Sequence, residues 1–262
     1  VSTHKELNKV KFEYSEDKII DDIKIKEFLK NVNDIVDKKL NNLDLNIVQT
    51  YKENKSQPNC KRHLKVFNKY KIIPEFCFGC YKIQIEPENV IDLIKLHIIF
   101  DNYNFKNNNI RKCMIELRPY ISGKYKGLIY CDSIKEADEI SKKLSIVLKN
   151  NLNKKIELNI KRGCSEYALE YNEYKNLNDN AMSYNKEWKK YEDLFDKEYP
   201  EYNFKRKTKE TIKGISLYDV LVIRNWLAFA KLIEDQSHKI ISDKFFYSKL
   251  IETKLKIKLQ KN

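Results

Sequence analysis

Cys60 and His63 form a C-x-x-H pair, and Cys77 and Cys80 form a C-x-x-C pair thirteen residues further on. Together they read C-x2-H-x13-C-x2-C. Thiolate and imidazole are ligands that Zn2+ favours, and two closely spaced pairs suit a tetrahedral site. Cys131 and Cys164 supply two further thiols. An Fe–S cluster is the alternative cofactor; it takes thiolates, and would draw on Cys77, Cys80, Cys131 and Cys164. A third chemistry is an activated thiol acting as nucleophile or redox group. Such thiols sit at helix N-termini or beside cations, whereas a strand is expected directly after Cys80. The plain alternative is inert cysteine, a small apolar residue common in cores. Cys113, which alternates with Ile115 and Leu117, suits that role best.

The elements that must bring these residues together are legible from periodicity. Cys80–Glu86 alternates apolar and polar residues, as a half-buried strand does. Pro87 suits the first turn of the helix that follows, an apolar segment from Val90 to near Asn102. Arg111–Arg118 and Tyr125–Cys131 read as strands around a turn at Pro119 and Gly123. Ser133 and Glu136 have the spacing of a capping box ahead of a second helix, and Lys155–Lys161 alternates as a fourth strand. The order β-α-β-β-α-β predicts an α+β fold with a ferredoxin-like antiparallel sheet. In that sheet Cys164, Cys77 with Cys80, Cys131 and Cys113 follow one another along one edge, on strands ~4.8 Å apart.

This core is expected over residues 57–170. A helical N-terminal extension is expected over 1–56 and a helical C-terminal extension over 171–262. In the last, Ser216 and Asp219 open a helix from Leu217. The polar face of the sheet, carrying Lys82, Gln84, Glu86, Glu116, Arg118, Asn159 and Lys161, is expected to be exposed.

The chain has 262 residues and a net charge of +13. Such a balance suits a nucleic acid or another polyanion as partner. The residues placed to contact phosphate are Arg111, Lys112, Lys124, Lys126, Arg162, and Lys205, Arg206 and Lys207 of a basic connector. No apolar run approaches the ~20 residues of a membrane span, and Val1–Lys11 has no apolar signal core. Reduced thiols and a cytoplasmic location are therefore expected. No Walker A, G-x-G-x-x-G, H-E-x-x-H or G-x-S-x-G motif occurs, so no catalytic residue is assigned. The sequence favours a basic, metal-stabilised binding protein for RNA or DNA. A thiol-based or Fe–S redox protein, and an interaction protein with inert cysteines, remain open beside it.

Overall fold

In the computed structural model, residues 12, 19–39, 46–52, 59–152, 156–178, 180–203, 214–242 and 248–261 are described. Its sheet grows from the alternating segments. The strands are β1 (Gln49–Lys52), β2 (Tyr81–Ile85), β3 (Arg111–Ile115), β4 (Tyr125–Cys131) and β5 (Leu158–Arg162). They lie in the order β1-β3-β4-β2-β5, and every neighbouring pair is antiparallel.

The fifth strand was not expected. Gln49–Lys52 lies in the segment read as helical, yet it pairs with β3 at the sheet edge. Its alternation explains this: Thr50 and Lys52 point inward and Tyr51 outward. Trp226 Nε1 donates to Val48 O at 2.9 Å, and Asn225 Nδ2 donates to Ile47 O at 3.0 Å, fixing the approach to the strand.

Among the described residues, six helices pack over the main core: α1 (Asp22–Lys39), α4 (Val90–Asn102), α5 (Ile134–Asn151), α8 (Leu217–Leu232), the short α9 (His238–Ile241) and α10 (Lys249–Lys261). On α1 the buried residues Ile25, Phe28, Leu29, Val32 and Val36 recur at helical spacing, one apolar stripe facing inward. α4 and α8 are apolar nearly all round. Each fully buried aliphatic or aromatic side chain contributes roughly 1.5–3 kcal/mol, so both helices sit between the sheet and the outer helices. α4 packs on β3, β4 and α8, while α5 covers β2, β4 and β5.

Local chemistry sets the helix starts. Asn89, not Pro87, opens α4: its side chain accepts from Asp92 N at 2.9 Å, as a good N-cap does. Ser133 accepts from Glu136 N, but Glu136 reaches back to Asp132 N instead of the cap residue. Ser216 and Asp219 complete a reciprocal capping box.

The polar face of the sheet is open only in part: Glu86, Asn159 and Lys161 are exposed as expected. Lys82, Gln84 and Glu116 on it are buried. Glu116 is paired to Arg118 and Lys126, and Glu86 bonds Gln84. A second, aromatic-rich core forms beyond the sheet end from Phe67, Ile73, Cys77, Phe78, Tyr167 and Tyr174. It joins α2 (Cys60–Tyr70), the short α3 (Glu75–Phe78) and α6 (Ser165–Glu170). Among the described residues, no helix is long and apolar enough to cross a membrane.

Candidate metal centre

Three chain segments meet at this second core. α2 opens with Cys60, capped by Asn59, whose side chain accepts from Arg62 N at 3.3 Å. Cys60 and His63 are three residues apart and so share one helical face. α3 is a single turn carrying Cys77, and Cys80 follows it directly before β2. Cys164 stands between β5 and α6.

These residues line one cavity: Cys60, His63, Cys77, Cys80 and Cys164, with Phe76, Tyr130, Gly163 and Tyr167 completing the wall. Its volume is about 10 Å³, room for about one water-sized atom. None of the six cysteines of the chain is in a disulfide.

The side chains around the cavity are held from several directions. Cys77 Sγ is 3.4 Å from Tyr167 Oη, and Tyr174 Oη donates to Cys77 O at 2.6 Å. Gly163 N donates to Cys80 O at 2.7 Å, tying the end of β5 to the C-x-x-C turn. Gly163 has φ +54°, and a Cβ there would lie 1.8 Å from Tyr174 Oη; only glycine fits. Arg162 lies over Phe78 and Tyr174 and donates to Phe78 O and Met182 O. From the other side, Arg62 bonds Asp196 and Glu192 of α7 (Lys189–Glu198). Glu192 also accepts from Glu75 N at 2.9 Å, so one carboxylate positions both α2 and α3.

His63 is 6% exposed, and its Nδ1 is buried without a hydrogen-bond partner. Its ring stacks on Phe76, centroids 5.1 Å apart. Burial, aided by the Arg62 charge, lowers its pKa to about 4, leaving a neutral imidazole near pH 7. Burial pushes the Cys77 thiol well up and the Cys80 thiol up to about 12. These two are not the low-pKa thiols of a nucleophile or redox sensor. Among the described residues, no three His, Cys, Asp or Glu side chains are posed to hold a metal ion.

Two cysteines lie elsewhere: Cys131, against expectation, and Cys113, in the core role its alternation suggests. Cys131 pairs across the sheet with Tyr81, so it faces the main core with Ile129 while its neighbour Tyr130 faces the cavity. Cys113 pairs with Gly127 deep in that same core.

The residues expected to contact phosphate are mostly engaged inside the fold. Arg111 is buried, bonded to Phe100 O, Asn108 and Asn109 O and lying over Phe105. Lys126 pairs with Glu116 at 3.0 Å. Lys112 reaches Gln49 and Tyr51, and burial lowers its pKa to about 8. Lys124 is exposed. Lys205, Arg206 and Lys207 lie outside the described residues. Sequence reasoning missed Gly163, Tyr167, Tyr174 and Glu192. Gly163, beside Cys164, was the one local signal; the others reach the cavity from far along the chain.

No protein-family model, no curated protein and no solved structure matches this chain.

Proposed function

We propose that the chain is a binding protein whose thiol and imidazole cluster holds one Zn2+ as a structural staple. The observation that carries this reading is His63: a buried imidazole with an unpartnered nitrogen, on a cavity that four cysteines also line. A buried polar atom without a partner costs about 1–3 kcal/mol, and a metal bond removes that cost. The thiols close on an ion through changes of χ1 rotamer, and the ion joins α2, α3 and the β5–α6 junction. Metal binding then supplies folding free energy to the second core, beyond the end of the sheet.

The size of the cavity favours a single ion over an Fe–S cluster, whose inorganic sulfides need more room. The raised thiol pKa values of Cys77 and Cys80 speak against a metal-free thiol enzyme. Six cysteines outside any disulfide support a reducing, cytoplasmic setting. The sheet's inner order β5-β2-β4-β3 supports a ferredoxin-like β-α-β-β-α-β core with β1 appended at its edge. A nucleic-acid partner draws less support, because Arg111, Lys126 and Arg162 spend their hydrogen bonds within the protein.

Thermal unfolding of the full chain with and without a strong zinc chelator tests the proposal. The melting temperature is expected to fall on chelation and to return with added Zn2+. At free zinc one hundred times Kd the difference is about 2.7 kcal/mol. An unchanged melt, with no zinc bound before chelation, contradicts the reading.

A further inference from the structure

We infer that Lys82 is the counter-ion of this centre, and that it selects the ligand set: His63 with three thiolates, Cys164 among them. This rests on the zinc reading above. Three buried lysines of the sheet make the argument. Lys52 is 4% exposed and meets Asp101 at 2.8 Å and Asp219 at 3.2 Å. Lys126 is 3% exposed and meets Glu116 at 3.0 Å. Lys82 is 8% exposed and meets no carboxylate among the described residues. Its Nζ lies 3.5 Å from Cys164 Sγ and 5.2 Å over the ring of Tyr130.

An ammonium withdrawn from water needs an anion beside it, since an unpaired buried charge costs several kcal/mol. A ring face meets only part of that need. The neighbouring cations sharpen that need: Lys112, which reaches Gln49 and Tyr51, and Lys161, opposite Lys82 on β5, both repel the Lys82 charge. The anionic partner is the thiolate-bearing centre, reached through an N–H···S contact to Cys164. Charge balance then chooses among the five candidate ligands. Zn2+ with four thiolates carries two negative charges. Zn2+ with three thiolates and a neutral imidazole carries one, which a single ammonium matches. The contact places Cys164 in the set, and the orphaned nitrogen places His63 there. Lys82 is thus a positioning residue that holds a ligand and its charge from outside the coordination shell, where such partners tune metal affinity.

The test measures Zn2+ affinity by competition with a chromophoric chelator for the wild-type chain, Lys82→Met and Lys82→Arg, with Co2+ spectra of the wild type and His63→Ala. Lys82→Met is expected to bind zinc ten- to a hundredfold more weakly, and Lys82→Arg to recover most of the loss. The wild-type cobalt spectrum is expected to show the thiolate charge-transfer intensity of three sulfur ligands. Lys82→Met binding as tightly as wild type, or a four-sulfur spectrum that survives His63→Ala, overturns the counter-ion role and leaves the zinc reading standing. Wild-type protein that takes up neither metal overturns both. If Lys82→Met does not fold, the sulfur count from the wild-type cobalt spectrum decides: three supports the inference and four overturns it.

Discussion

Two buried histidines face opposite surroundings in this molecule. His97, on α4, is 1% exposed, and His63, on α2, is 6% exposed. Burial lowers the pKa of each to about 4. Each keeps one ring nitrogen buried without a hydrogen bond. The difference lies in what surrounds the ring. His97 has Thr50 Oγ1 at 3.2 Å from Nδ1, the edge of Trp226, and Asp219 Oδ1 at 3.8 Å from Nε2. Lys52, Asp101 and Asp219 close that cluster, with hard oxygen and ammonium groups that neutralise one another. His63 instead has soft thiols, a cavity of about 10 Å³, and, beside Cys164, Lys82, which meets no carboxylate among the described residues. A buried histidine is therefore not a site by itself. The His97 cluster is a joint that pins edge strand β1 to α4 and α8. Under the zinc proposal, the His63 cluster is a joint closed by an ion.

The largest effect that sharpens this comparison is expected at Lys52. Lys52→Met strands Asp101 and Asp219 in the core and costs about 3–5 kcal/mol, read by urea denaturation. The cost should be the same with and without chelator. A zinc-dependent cost would break the separation of the two joints.

Gly163→Ala comes next. It forces a Cβ at φ +54° into Tyr174 Oη, a strain and overpacking cost of roughly 3 kcal/mol. The loss should be accompanied by weaker zinc binding, because Gly163 N holds Cys80 O.

Acid tests the His97 joint. The folded pKa of about 4 lies below the unfolded value of about 6.5, so the unfolded chain binds the proton more readily. Stability is complete above pH ~6.5 and falls as pH drops toward 4, by about 3 kcal/mol from this group. His97→Gln, compared in the presence of chelator, should remove about half of the total fall, because His63 carries the same shift. A fall of unchanged size would remove His97 as its source.

The smallest effect is expected at Cys131, which faces the main core. Cys131→Ala should cost about 1 kcal/mol and leave the zinc content unchanged. Loss of zinc in this variant would return Cys131 to the ligand set.

The sequence carried the central strands because alternation survives in Tyr81–Ile85, Arg111–Ile115 and Tyr125–Cys131. It also carried the site pairs, since Cys60 with His63 and Cys77 with Cys80 are local spacings. The phase of β4 was present in the sequence but went unread: alternation puts Tyr125, Gly127, Ile129 and Cys131 on one face, the core face, which takes Cys131 from the cavity and leaves Tyr130 there. Strand β1 was hidden because it is four residues long and one of its two inward positions is Lys52, which reads as a surface residue. The same illusion made Lys82, Arg111 and Lys126 look like an exposed basic face. Their burial rests on partners such as Cys164, Phe100 and Glu116, which no local pattern announces. The aromatic shell was invisible for a related reason: Tyr167 and Tyr174 reach Cys77 from about 90 residues away.

The most direct test of the account is the zinc content of the full chain purified under reducing conditions, set beside that of Cys80→Ser. The account predicts one zinc per wild-type chain and a large loss in the variant. Wild-type protein that folds without any bound metal, and gains no stability from added Zn2+, would contradict it.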